Sequence, residues 1–165
     1  MYHKILVAVD NTELSKQAFH QAVAIAKAFA AQLHIISVYS PLRLEYQDTA
    51  SLAFSGSYYP DLAIDMTQEE WADAKEMDWN LLKSLQQQAQ NLGVKTEITQ
   101  QIGSVEQEIT DFAKSWNADL IVIGSHGRKG FAELLFGSVS NYVSHHVTCS
   151  VLLVHPQPLE NTTES

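Results

Sequence analysis

Five short apolar runs, spaced along the chain with helical patterns between them, restrict it to very few architectures. They are Lys4–Val9 (KILVAV), Leu33–Tyr39 (LHIISVY), Val94–Gln101, Leu120–Ile123 (LIVI) and Ser150–His155 (SVLLVH). Their length and their enrichment in Val and Ile favour strands over helices. The third run alternates through Val94, Thr96 and Ile98, as a more exposed strand does.

Helical signals fill the intervals. Asp10-Asn11-Thr12 is turn and cap chemistry, and from Glu13 to about Ala30 apolar residues recur at Leu14, Ala18, Ala22, Ile25 and Phe29. Thr67 with Glu70 reads as a capping box opening a helix to about Asn91, where Gly93 stops it. Ser104 with Gln107 reads as a second capping box, opening a helix to about Trp116, and Ser138 to His146 reads as a short last helix. Strands alternating with helices predict an α/β fold: a single doubly wound domain, a five-stranded parallel sheet with right-handed crossovers and helices on both faces. The expected domain spans 1–156, and 157–165 is a polar tail. Residues 40–65 are irregular and hold Tyr46, Phe54, Tyr58 and Tyr59. At about 25 residues this connection is long, which predicts a functional loop, a lid or a mobile segment whose aromatics anchor it to the core and meet a partner. No internal repeat is visible.

Composition narrows the function classes. The 165 residues, 45% of them hydrophobic, suffice for one domain with a proper core. No apolar run approaches the length of a membrane span, and Met1-Tyr2-His3-Lys4 leads straight into a strand without space for a signal peptide. Cys149 is the only cysteine, which excludes an intrachain disulfide and fits a reducing cytoplasm. A net charge of −9 argues against nucleic acid and anionic membrane as partners. His3, His20, His34, His145, His146 and His155 show no ligand spacing, so no structural zinc is expected.

The most site-like stretch is Gly124–Ser138, GSHGRKGFAELLFGS: a glycine, two residues, a second glycine, nine residues, then Gly-Ser. It follows an apolar run and precedes a helical pattern. A glycine-rich loop that leads from a strand into a helix N-terminus turns backbone N–H groups toward an anion, and the helix adds its positive dipole end. The spacing is that of neither a P-loop nor a dinucleotide fingerprint, since no Gly-Lys-Ser/Thr follows and the glycines fall at 124, 127 and 130 after a late strand. The candidate phosphate ligands are the loop residues Gly124, Ser125, His126, Gly127, Arg128, Lys129 and Gly130, and the helix start at Gly137, Ser138, Val139 and Ser140. In this reading Ser138 caps the last helix, and the Ser138 and Ser140 hydroxyls donate to phosphate oxygens beside the amides of Val139 and Ser140. Arg128 and Lys129, the only adjacent basic pair, supply local positive charge on an acidic chain.

This spacing resembles that of the nucleotide-binding universal stress proteins, and the resemblance covers about residues 2–156. It implies an adenine nucleotide alpha hydrolase-like fold with strand order 3-2-1-4-5. In such an order the ends of the first and fourth strands flank the switch point where ligands bind, which would bring Asp10 and Gly124 together. It implies backbone contacts to adenine from Ala8, Val9 and Asp10 and from Val38, and a position near the ribose for Gly103. Asp10 stands where the family has an aspartate, but Asn11-Thr12 replaces the usual Gly-Ser; Asn tolerates a left-handed turn and Thr can cap. Asp10 would orient the ribose or a metal-bound water, or simply place charge at a helix N-terminus.

The resemblance further implies ATP as ligand, with ADP and AMP as alternatives, Mg or Mn arriving with the phosphates, a homodimer through Ser150–His155, and a regulatory protein partner of unknown identity in stress adaptation. No Walker lysine, arginine finger or acid–base pair stands out, so hydrolysis is expected to be slow or absent. Two other readings stay open: a slow ATPase or phosphotransferase using His126, and a nucleotide-independent dimeric adaptor.

Overall fold

The computed structural model describes residues 1–40, 67–125 and 137–157. In chain order these form β1 (Lys4–Ala8), α1 (Glu13–Phe29), β2 (Gln32–Tyr39), α2 (Gln68–Asn91), β3 (Thr96–Ile102), α3 (Val105–Trp116), β4 (Leu120–Gly124), α4 (Ser138–His146) and β5 (Ser150–Val154). The expectations for 41–66 and for the tail beyond 157 lie outside the described residues.

All five strands are parallel, in the order β3-β2-β1-β4-β5. The order explains the sequence pattern. β1 lies at the centre and is covered on both faces, so its apolar run is continuous rather than alternating. Ile5 and Val7 face one layer and pack with Phe19, Ala22 and Ala26 of α1 and Leu82 and Leu85 of α2. Leu6 faces the other layer, with Ile36, Ile121, Ile109 of α3 and Val143 of α4. β3 and β5 are edge strands. Apart from Thr96 and Val154 their residues are only partly buried or exposed, as the alternating pattern of the third run predicts.

Three helix starts test the capping signals. Thr12 caps α1, its hydroxyl accepting the Ser15 amide at 3.2 Å. Thr67 and Glu70 form the expected reciprocal box: the Thr67 amide donates to Glu70 Oε2 at 2.8 Å and the Glu70 amide to Thr67 Oγ1 at 3.2 Å. Ser104 occupies the N-cap of α3 but makes no side-chain cap bond, so no capping box forms with Gln107. Its ψ of 119° falls short of the 156° and 154° of Thr12 and Thr67. Gly93 takes φ +82°, the left-handed conformation that ends α2.

α2 is anchored unevenly. Its buried residues, Leu82, Leu85 and Ala89, all lie in the second half. The first half is held by Asp78, which accepts from Ser37 Oγ and from Gln100 Nε2, both at 2.7 Å, and by an edge-on contact of Trp71 with Tyr39 at 5.0 Å.

Two groups fasten the sheet elsewhere. Asp119 Oδ2 accepts the amides of His3 and Lys4, both at 2.8 Å, while its backbone N–H donates to Lys4 O and its carbonyl accepts Ser150 N–H. One residue thus aligns the amino ends of β1, β4 and β5. The His3 amide, ahead of that of Lys4, holds the carboxyl below its usual range. His34 is buried under Phe112 and Trp116, at ring separations of 4.5 and 5.2 Å, with Nε2 2.7 Å from Thr99 Oγ1. Its Nδ1 has no hydrogen-bond partner, and Glu97 lies 3.7 Å away.

Replacing Asp119 with Ala leaves two strand-initiating amides without their acceptor, and is expected to lower unfolding free energy by about 1–3 kcal/mol in denaturant titrations. An unchanged midpoint would refute the role. For His34, burial lowers the pKa below 6.5, outweighing the opposite pull of Glu97. The folded state therefore resists protonation, so stability is full above 6.5 and declines as pH falls below it. Between about pH 7 and about pH 5.5 the wild type should lose stability more steeply than His34→Gln, and parallel slopes would contradict this.

Candidate crevice at the carboxyl ends of the central strands

The pairing of Val7 with Val122 sets the carboxyl ends of β1 and β4 side by side. Ala8 to Asp10 therefore adjoin Gly124 and Ser125, as expected for a ligand crevice at the point where strand order reverses. The start of α4 closes the same corner. Gly137 N–H donates to Ser125 O at 2.6 Å, which fastens the helix start to the end of β4.

Beneath this corner lies an apolar floor. Val38 and Ile123 belong to the core layer under α3 and α4, and Ala8 and Val139 pack against it. Val9 does not join them. Its side chain is buried in the opposite layer with α1, because neighbouring residues of a strand face opposite sides. Val9 can offer the crevice only backbone, and its own amide donates to Ile36 O at 2.9 Å.

Asp10 builds the turn into α1. Its Oδ1 accepts both the amide of Thr12 at 2.9 Å and the Thr12 hydroxyl at 2.5 Å. Its amide donates to Ser15 Oγ, and that hydroxyl donates back to Asp10 O. This closes the turn without a left-handed residue: the described non-glycine residues with positive φ are Ala30 and Asn117, and Asn11 is not among them. The Asp10 carboxylate thus replaces the conformational freedom that a glycine would supply.

Two expectations at α4 need correction. Gly137, not Ser138, is the N-cap: its carbonyl accepts the Asn141 amide at 2.9 Å, so Ser138 is already the first helical residue. Ser138 is exposed there. Ser140 does not hold its hydroxyl out to a ligand. It is 1% exposed, and its Oγ donates to Ser125 O at 2.8 Å and to Gly137 O at 3.0 Å. That proton is already used, and the lone pairs left would repel a phosphate oxygen. The clasp had a legible signal. Ser140 and Val143 share the buried side of α4, and a serine on a buried stripe must find a partner.

Gly103 stands apart. Its amide donates to Tyr39 O at 3.1 Å and its φ is +154°, at the end of an edge strand. With β2 between β3 and β1, it lies about 10 Å from the end of β1. The expected ligands His126, Gly127, Arg128, Lys129 and Gly130 lie outside the described residues. Among the described residues, no three His, Cys, Asp or Glu side chains gather as a metal site would require. A cleft of about 290 Å³ between Lys114, Asp119, Thr148 and Cys149 sits at the opposite, amino end of the sheet, away from the crevice. Burial pushes the Cys149 thiol up, so it is a poor nucleophile there.

Comparison with known proteins agrees with this geometry. The universal stress protein family model matches residues 1–155. Universal stress protein Sll1388 of Synechocystis is 41% identical over 160 residues, 93% of this chain and 97% of its own. YxiE of Bacillus subtilis is 35% identical, with 93% and 99% covered. Among solved structures, that of the hypothetical protein MJ0577 superposes with a TM-score of 0.73 at 22% identity, covering 96% of this chain and 99% of that one. A universal stress protein family member of Arabidopsis thaliana with AMP bound gives 0.62 at 20% identity, with 98% and 97% covered. Other structures of this fold were solved in complex with cAMP and with dAMP. With its five-stranded parallel sheet, its crevice between the first and fourth strands and these relatives along nearly its whole length, the chain belongs to the universal stress protein family.

Proposed function

We propose that the chain is an ATP-binding regulatory protein of stress adaptation, in which the nucleotide acts as a switch and hydrolysis is slow or absent. The observation that carries this reading is the convergence of the β1 end, the β4 end and the start of α4 on one corner. The N-cap of α4 is a glycine, and among the described residues no side chain caps the helix, so its first-turn amides would be donors for an anion. The relatives of this fold solved with AMP, dAMP and cAMP support an adenine nucleotide as the occupant.

The parts divide the work. Ala8, Val38 and Val139 offer an apolar wall to the base, with backbone from segment 8–10 beside it. The amides and dipole of α4 receive phosphate, and Arg128 and Lys129 add charge in a chain whose net charge is −9. Mg or Mn would be held by phosphate oxygens and water, since no carboxylate cage is found among the described residues. No Walker lysine, arginine finger or acid–base pair stands out in the sequence, so bound ATP would persist as a signal rather than turn over. ADP and AMP fit the same corner with fewer phosphate contacts.

The same reading assigns a homodimer to the last strand, Ser150–His155. Among the described residues β5 pairs only with β4, so one side of its backbone has no described strand beside it, and Val151, Leu152 and Leu153 are half-buried. An open edge of this kind invites a second copy across a two-fold axis. A regulatory protein would then read the nucleotide-ordered state.

Two measurements follow. Purified protein is denatured and the supernatant chromatographed, with Gly127→Val in parallel. ATP released at near-stoichiometric level from wild type, and reduced about tenfold or more in the variant, is expected. A protein that is empty and takes up no added ATP would leave the dimeric adaptor as the reading. Light scattering at micromolar concentration should return a dimer for wild type and monomer or insoluble protein for Leu152→Pro; a soluble wild-type monomer would sink the dimer.

A further inference from the structure

We propose that Ser140 is a positioning residue for the phosphate end of the ligand, acting as a clasp between the end of β4 and the first turn of α4; this rests on the nucleotide reading above. Three bonds make the clasp. Gly137 N–H donates to Ser125 O at 2.6 Å, Ser140 Oγ donates to the same carbonyl at 2.8 Å, and Ser140 Oγ also reaches Gly137 O at 3.0 Å. Ser125 O thereby has both lone pairs occupied by the two ends of one helical turn.

The geometry distinguishes orientation from closure. The Gly137 amide alone would hold the helix start against Ser125, but one bond is a pivot. The second bond, one turn further along the helix, removes that rotation. What it fixes is the direction of the first-turn amides at Ser138 and Val139 and of the helix dipole relative to the ends of β1 and β4. Ser125 and Ser140 are 0% and 1% exposed, so water cannot stand in for the Ser140 hydroxyl, and without it the helix start is held to Ser125 O through the Gly137 amide as a pivot. Further along, Ser144 Oγ donates to Ser140 O at 2.7 Å, so the backbone of the clasping residue is itself held.

A phosphate-positioning role separates from general stabilisation by ligand. ATP uses the α4 amides, whereas adenosine presents the same base and ribose without phosphate. Calorimetric titration with ATP plus Mg²⁺ and with adenosine would be run on wild type, Ser140→Ala, Ser140→Thr and Ser140→Val, each checked by thermal melting. Ser140→Ala should weaken ATP about tenfold and leave adenosine unchanged. Thr keeps the donor and should keep the wild-type ratio of the two affinities; Val has the shape of Thr without the donor and should behave as Ala does. Should Ser140→Ala fail to fold, the Thr and Val pair carries the same test. Equal weakening of both ligands in Ala, or Thr as poor for ATP as Val, would overturn the proposal. A wild type that binds neither ATP nor adenosine would instead overturn the nucleotide reading, independently of any change at Ser140.

Discussion

Everything at the crevice depends on the pairing of β1 with β4. Three register pairs, Ile5 with Leu120, Leu6 with Ile121 and Val7 with Val122, join segments more than a hundred residues apart. Both strands are buried on both faces, so neither can sit at an edge without exposing a full row of Val, Ile and Leu. That requirement puts them in the middle, forces the chain to wind in opposite directions from them, and opens the corner between their carboxyl ends. Asp119 guards the other end of the same pairing by aligning three strand starts through a single residue.

In the proposed reading the site would draw chiefly on backbone amides, with Arg128 and Lys129 adding charge. In an acidic protein, a strongly cationic pocket would be in constant competition with the chain's own carboxylates. Amides at a helix start have no such problem: they are fixed by the fold, carry no net charge, and act only over the first turn. The apolar floor of Ala8, Val38, Ile123 and Val139 belongs to the core layer beneath, so the corner inherits the rigidity of the sheet.

Much of this was legible in the residues, for reasons that differ by element. Ile5–Val9 and Leu120–Ile123 announce buried strands because burial on both faces favours an unbroken apolar run. Thr67 and Glu70 announce a helix start because their exchange of bonds is local. Ser104 and Gln107 offer a comparable spacing without the bonds, and ψ at Ser104 is 119° rather than the 156° and 154° of the two bonded caps. Ser138 looked like a cap because serine often is one; the bond from Gly137 to Ser125 starts the helix one residue earlier, and nothing near Ser138 in sequence reports it. Ala8 and Val38 look like ordinary core, and they are core, yet the sheet order makes them the floor of a crevice. Strand order itself came through family resemblance. Asp119 gave no signal, because its partners at His3 and Lys4 are local only once β1 and β4 have paired.

The uneven anchoring of α2 divides one helix into two units of different opening energy. Loss of the half that carries Leu82, Leu85 and Ala89 would uncover the core between α1 and the sheet, so its amides open only with the whole domain. Among the described residues, the half before it is attached through the Asp78 carboxylate, the Lys75 carbonyl and one ring contact, and its opening uncovers few apolar side chains. Such a segment sits at the low end of the local stability scale. Amide hydrogens from Trp71 to about Met77 are therefore expected to exchange ahead of those around Leu82, Leu85 and Ala89. The chain can release that unit while its central strands, and the corner between them, stay intact.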